Sequence, residues 1–233
     1  MNRTIETEMP VKIVNKEYEA VVFDLDGTIY PLTFFNKIVF FMMNFKNISL
    51  FNAHRKGIAL LRGKDFGSSG RYYDAFYHSV AERTGKKKEE IENWYFNIFY
   101  KKFKTFLINY CHVRENFTEL INALKNKGVK TGVFSDYADI EERLDALGLG
   151  THSFDIVFSG EKYGALKPEP RPLSLMIDFF GTTFEKVLLV GDRIDTDGAC
   201  AEKSGTGFYH IDGAVSWENF CREILDDEYF KNK

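Results

Sequence analysis

The stretch AVVFDLDGTIYP, residues 20–31, decides how the rest of the chain is read. Its first four residues, Ala20-Val21-Val22-Phe23, are apolar and rich in β-branching, as in a buried strand. The run stops abruptly at Asp24 and Asp26, Gly27 and Thr28 follow, and Pro31 closes the pattern. Carboxylates at the end of a buried strand are costly, so two of them in one spot call for a partner.

Three later runs share the design: VKTGVFSD (129–136), FDIVFSG (154–160) and KVLLVGD (186–192). Each is of strand length and ends in a small or acidic residue. Helical spacing fills the intervals. FTELINALKNKG (117–128) puts Leu120, Ile121 and Leu124 on one face and stops at Gly128. DIEERLDALGLG (139–150) repeats this with Ile140, Leu144, Leu147 and Gly148, and RPLSLMIDFFG (171–181) ends at Gly181. A helix around Cys200 and a fifth strand, TGFYHI (206–211), complete the set. This alternation predicts an α/β fold, a Rossmann-like three-layer parallel sheet with helices on both faces. The lead-in VKIVNKEYEAVVF allows a hairpin turning at Asn15-Lys16 or a frayed segment.

The interval from Pro31 to Glu115 breaks the rhythm. It shows helical patterns, no clear strand, and 19 of the chain's 37 aromatic residues. It holds 15 Lys and Arg against 7 Asp and Glu, a balance of +8 that leaves −11 for the rest of a chain of net charge −3. A basic, aromatic, all-helical domain (31–115) is therefore expected as an insert in an acidic core (1–30 and 116–233). LRGKDFGSSGR (61–71) reads as a loop between two of its helices, and KKKEE (86–90) as a solvated helix start. The tract IVFFMMNF (38–45) is too short to span a membrane and reads as an aromatic helix packed in a core.

The bulk composition, 233 residues with 44% hydrophobic and 28% charged, is that of an ordinary globular protein. Nothing in the charge points to a nucleic-acid polymer as partner. Cys111, Cys200 and Cys221 lie far apart, without metal or disulfide spacing, which fits a reducing cytoplasm. The N-terminal residues have no apolar signal region, no membrane span is expected, and the five histidines show no metal spacing.

Ligands of open parallel sheets bind outside the C-terminal strand ends. The residues to weigh there are Asp24 and Asp26, Ser135 and Asp136, Lys167 in GALKPEP (164–170), and Asp192 with Asp195 and Asp197. Converging carboxylates repel unless a cation neutralises them, and hard oxygen ligands at an open site point to Mg²⁺. Lys167 and the Ser135 hydroxyl are useful beside such a site only if the ligand is an anion, as a phosphoryl group is.

DLDGT (24–28), FSD (134–136), Lys167 in LKPEP and GDRIDTD (191–197) together resemble the four motifs of the haloacid dehalogenase (HAD) superfamily. The resemblance covers about residues 20–30 and 115–212, and the helical insert resembles the family's C1 cap. It implies a HAD-like core and a phosphatase acting on a small phosphorylated metabolite. Asp24 would be the nucleophile, giving an aspartyl-phosphate, and Asp26 the acid and base; side chains i and i+2 of a strand point the same way. Gly27, Thr28, Ser135, Asp136 and Lys167 would form the substrate-binding set, with Asp136 a helix cap or a supporting partner. Asp24, Asp192 and the Asp26 carbonyl would hold Mg²⁺, with Asp197 behind them supporting its water or orienting Lys167.

Blander readings stand beside these. Ser135 and Asp195 could be helix caps, and GTG (205–207) a turn into the last strand. Arg62, Lys64 and Arg71 could reach over the site from the insert, or line a solvated loop. The resemblance also leaves open a sugar phosphomutase, a phosphonatase (with Lys37 or Lys64 as the Schiff-base lysine) and a catalytically decayed binding protein. Dehalogenases of the family lack an acid two positions after the nucleophile, so Asp26 argues against that chemistry.

Overall fold

The computed structural model describes residues 11–13 and 16–225. Val11–Ile13 (β1) and Lys16–Tyr18 (β2) pair as an antiparallel hairpin. Asn15, expected in its turn, lies outside the described residues. Ala20–Phe23 (β3) then starts the main sheet, with Lys130–Ser135 (β4), Ile156–Ser159 (β5), Val187–Gly191 (β6) and Gly207–His210 (β7). All five strands are parallel, in the order β5-β4-β3-β6-β7, so β3 is central.

Both faces of β3 are covered, which is why its four residues are apolar without alternation. Val21 and Phe23 pack with Val133, Leu188 and Val190 beneath helices α6 (Phe117–Asn126), α7 (Ile140–Ala146) and α11 (Ala214–Ile224). Ala20 and Val22 pack with Phe134, Val187 and Leu189 beneath α9 (Arg171–Phe180) and α10 (Ala199–Ser204). A one-turn helix, α8 (Gly160–Tyr163), follows β5. The three-layer α/β core expected from the strand–helix alternation is present. Leu120, Ile121, Leu124, Ile140 and Leu144 are buried as expected, and Leu147 is half-buried.

Between β3 and β4 the chain is helical: α1 (Phe34–Met43), α2 (Ile48–Leu61), α3 (Ser69–Thr84), α4 (Lys88–Trp94), a π-helical turn (Tyr95–Phe99) and α5 (Tyr100–Tyr110). Ser68 caps α3 by accepting from the Arg71 amide, and Thr33 caps α1 from Asn36. The rings of this insert form its interior, with Phe76, Trp94, Tyr95 and Phe99 all buried.

The reading of residues 38–45 as a packed core helix needs correction. The helix forms, but Phe34, Ile38, Phe41, Met42 and Phe45 are 80%, 45%, 38%, 60% and 61% exposed. Only the face carrying Asn36, Val39, Phe40 and Met43 turns inward, because α1 sits at the outer edge of the insert. Phe40 packs on Phe51 of α2, Phe99 of the π turn and Phe103 and Phe106 of α5, but high apolar content does not bury the faces of a helix that no neighbour covers.

The insert is stitched to the core. The loop of residues 62–68 runs along residues 164–168, with Gly63 N–Leu166 O at 3.2 Å and Phe66 N–Gly164 O at 2.9 Å. Arg171 Nε donates to Asp65 at 2.7 Å. Glu161 of α8, fully buried, accepts from Tyr72 and Tyr73 of α3 (3.3 and 2.9 Å), Tyr95 of the π turn (2.5 Å) and Tyr100 of α5 (2.9 Å). The π turn shifts the helical register, so that Tyr95 and Tyr100 face one carboxylate.

Candidate active site

Asp24 leaves β3 where the ladder ends, its amide donating to the Val190 carbonyl at 2.8 Å. The Lys167 ammonium meets Asp24 Oδ1 at 2.5 Å, and Thr28 Oγ1 donates to Asp24 Oδ2 at 3.0 Å. Lys167 is itself fixed from three sides. Its Nζ donates to the Phe134 carbonyl at 3.1 Å and pairs with Asp197 Oδ1 at 2.6 Å, while its backbone amide donates to Asp136 Oδ1 at 2.8 Å. Asp136 thus orients Lys167 through the backbone. Its other oxygen lies 3.5 Å from Arg62 Nε, so the insert reaches this site through Arg62.

Asp26 has a separate set of partners. The Arg143 guanidinium forms a buried ion pair with Oδ1, Tyr30 donates to the same oxygen, and Ser135 Oγ donates to Oδ2 at 3.1 Å. Arg143 also donates to Ser135 Oγ at 3.0 Å. The rule for side chains i and i+2 of a strand does not apply, because β3 ends at Phe23. Asp24 turns to Lys167, Asp26 turns to Arg143, and both still line one cavity. Burial pushes Asp26 up, but the Arg143 charge and the hydrogen bonds of Arg143, Tyr30 and Ser135 outweigh it and hold the carboxyl below its ordinary value.

Asp24, Asp192 and Asp197 each bring a carboxylate oxygen within 4.8 Å of the others. Gly27 makes this approach possible: it has φ +104°, and a Cβ there would stand 2.2 Å from Asp192 Oδ2. Asp197 Oδ1 is buried against the Lys167 ammonium at 2.6 Å. Burial, and then the neighbouring Asp197, push the Asp192 carboxyl up to about 6. Burial likewise drives Asp24 up; Lys167 pulls it down, and Asp197, Asp26 and Asp192 push it up again. Burial works against the Lys167 charge, yet Asp197, Asp24 and Asp136 hold the ammonium well above its ordinary value. One ammonium among several carboxylates leaves negative charge in excess. Three converging carboxylates, Asp24, Asp192 and Asp197, make an all-oxygen donor set that fits a hard divalent cation.

A cavity of about 470 Å³ opens over these groups, lined by Asp24, Asp26, Asp136, Lys167, Asp192 and Asp197 from the core and by Lys37 and Arg62 from the insert. Thr28 and Ser135, both expected to touch substrate, are fully buried and outside this lining; they hold Asp24 and Asp26 instead. Ser135 caps no helix, as α7 begins at Ile140. Asp195 caps none either: it pairs with Arg193 Nε at 3.0 Å and is exposed. Lys64 and Arg71 are exposed and outside the lining, so only Arg62 of the three loop cations comes to the site.

Sequence reasoning missed Arg143 and Glu161. Arg143 lies three residues after Ile140 and one before Leu144, on the buried face of α7. A charge on an apolar face was a signal that could have found it. Glu161 carried no such periodic signal, since α8 is a single turn.

The haloacid dehalogenase-like hydrolase family model matches residues 18–205. A phosphoglycolate phosphatase of Aquifex aeolicus is 27% identical over 191 residues, covering 80% of this chain and 81% of that one. A glyceraldehyde 3-phosphate phosphatase of Methanocaldococcus jannaschii is 27% identical over 222 residues, 91% and 90% of the two chains. Among solved structures, a haloacid dehalogenase-like hydrolase of Bacteroides fragilis superposes with TM-score 0.58 at 20% identity, over 88% of this chain and 94% of that one. A 2-haloacid dehalogenase of Pseudomonas syringae superposes with TM-score 0.55 at 18% identity, over 84% and 86%. At such identities the superpositions speak for the fold alone. With the match spanning most of the chain, and Asp24, Asp26, Asp136, Lys167, Asp192 and Asp197 on one cavity, the protein belongs to the haloacid dehalogenase-like hydrolases.

Proposed function

We propose that the protein is a Mg²⁺-dependent phosphatase that hydrolyses a phosphate monoester of a small metabolite through an aspartyl-phosphate on Asp24. The observation that carries this reading is the Lys167 ammonium, 2.5 Å from Asp24 and 2.6 Å from Asp197, in a cavity that also exposes Asp26 and Asp192. A lysine so placed serves an anionic reacting group. The names of the two curated relatives, both phosphatases of small phosphorylated compounds, point the same way.

In this reading Thr28 and Lys167 hold the Asp24 carboxylate so that one oxygen faces phosphorus. Asp24 attacks, the bond from phosphorus to the leaving oxygen breaks, and Asp26 gives that oxygen a proton. A water then attacks phosphorus, Asp26 takes its proton, and phosphate leaves with Asp24 restored. Mg²⁺ bound by Asp24 and Asp192, with Asp197 behind, would supply positive charge to the phosphoryl oxygens and relieve the carboxylate repulsion. Arg143 keeps Asp26 ionised at rest, which suits the base step. For the acid step this contact must loosen, so that Asp26 takes a proton from solvent and passes it to the leaving oxygen; the proton it later takes from the attacking water returns to solvent. Residues 31–115 act as the cap over the core, with Arg62 and Lys37 drawing the anion in, and the three buried free cysteines suit a cytoplasmic setting.

The test is phosphate release from a panel of esters, p-nitrophenyl phosphate included. Release should require Mg²⁺ and vanish in Asp24→Asn. Full activity in that variant would overturn the covalent route, and an inert wild type would favour a binding protein. Recovery of a phosphate-shifted sugar in place of free phosphate would make the protein a mutase.

A further inference from the structure

A second cavity, of about 190 Å³, adjoins the first and shares Asp26, Leu32, Lys37 and Tyr137 with it. It runs from Asp26 into the helical insert, and its walls are the rings of Phe40, Phe51, Phe99, Phe103, Phe106 and Tyr137. Lys37 and Arg55, both exposed, also border it, and the greater part of its lining is aromatic. Its volume exceeds the roughly 150 Å³ in which an apolar protein cavity holds a benzene ring.

One polar side chain deep in this wall is unaccounted for. His54 of α2 is 1% exposed, and neither ring nitrogen has a hydrogen-bond partner. It stacks against Phe51 and lies 4.5 Å from Phe99 and 6.0 Å from Tyr137, centroid to centroid. Burial, then the charges of Arg55 and Arg62, push it down to about 3, so the ring is neutral. A neutral imidazole has one N–H donor and one acceptor to offer. Native interiors rarely leave both without a partner, and a site that recognises a ligand is one reason they do.

Resting on the phosphomonoester reading above, we propose that this cavity receives the leaving group, and that the leaving group carries a single planar ring with a hydrogen-bonding edge. The placement follows from Asp26, which borders both cavities: phosphorus sits over Asp24, the leaving oxygen at Asp26, and the ring beyond it. The aromatic walls take the ring faces and His54 meets the polar edge. Neither phosphoglycolate nor glyceraldehyde 3-phosphate, the compounds in the relatives' names, carries such a ring.

Two measurements test this. In the first, kcat/KM is compared for 3-pyridylmethyl phosphate, benzyl phosphate, phosphoglycolate and glyceraldehyde 3-phosphate. The ring esters should lead by tenfold or more, with the pyridyl ester ahead of benzyl, and His54→Phe should bring the pyridyl-to-benzyl ratio close to one. In the second, calorimetry on the intact wild-type protein with Mg²⁺ compares benzylphosphonate with methylphosphonate, neither of which needs to be hydrolysed. The benzyl compound should bind at least tenfold more tightly. Equal binding of the two phosphonates, or faster turnover of the ring-free esters, overturns the proposal and leaves the phosphatase reading standing. Tight benzylphosphonate binding with no ester hydrolysed does the reverse.

Discussion

Replacing Glu161 by alanine should cost about 4 kcal/mol of folding stability, and the figure can be built from its partners. Its carboxylate accepts from four phenols at 2.5–3.3 Å, and from the Ala138 amide at 3.3 Å. Deleting it strands those donors. Tyr95 and Tyr100 already lie 3.2 Å apart and can bond to each other, and the Tyr100 oxygen keeps the Ala138 amide at 2.8 Å. That leaves two or three orphaned hydroxyls at about 1–3 kcal/mol each. In a chain of this size the melting temperature should fall by about 8–16 °C, at 2–4 °C per kcal/mol. Urea unfolding of wild type, Glu161→Ala and Glu161→Gln is the assay, with Gln losing about half as much because its oxygen still accepts.

The pH dependence adds an independent sign. Burial pushes Glu161 up in the folded protein, and the hydrogen bonds of Tyr95, Tyr100, Tyr73 and the Ala138 amide do not fully offset it. The folded state then binds a proton more readily than the unfolded one. This group's contribution therefore improves as pH falls through the folded value toward the ordinary one, and levels off below that. The Gln variant should lack this component. A loss under about 1 kcal/mol in Glu161→Ala would refute the tyrosine cage as the joint between insert and core.

Other outcomes follow from the site. Gly27→Ala should lower Mg²⁺ affinity by about 10- to 100-fold by calorimetry, since the new methyl displaces Asp192; unchanged affinity would remove Asp192 from the metal set. Mg²⁺ affinity of the wild type should be about tenfold weaker at pH 5 than at pH 7, because a proton competes for Asp192 below about 6. Arg143→Met should move the acidic limb of the kcat/KM profile to higher pH, since the guanidinium no longer opposes the effect of burial on Asp26. Arg143→Lys, which keeps the charge but not the fork, should fall between, and an unmoved limb in both would sever Arg143 from Asp26.

The core was legible because each of its elements obeys a local rule. Strands β3, β4 and β6 are apolar runs with acids or small residues at their ends, and α6, α7 and α9 are periodic and stopped by glycine. Helix α1 shows the limit of such rules. Its phenylalanines predict burial, yet exposure depends on how many neighbours reach the helix, which its own sequence does not encode. Thr28 and Ser135 show a second limit. Motif position brought them to the site, but packing turned their hydroxyls toward Asp24 and Asp26 and away from the cavity.

The sequence by itself determined the strand order of chemistry: a buried run ending in Asp24 and Asp26, Lys167 and Asp192 at later strand ends, and a basic aromatic insert between. Periodicity and motif spacing act within one segment, so they suffice for that. Only the tertiary structure decided which groups from distant segments share a dry interior. It placed Arg143 on Asp26, 117 residues away, set Glu161 among four tyrosines of the insert, and left His54 without a partner beside an aromatic cavity. The meeting of these groups is fixed by packing and desolvation, which no single stretch of chain contains.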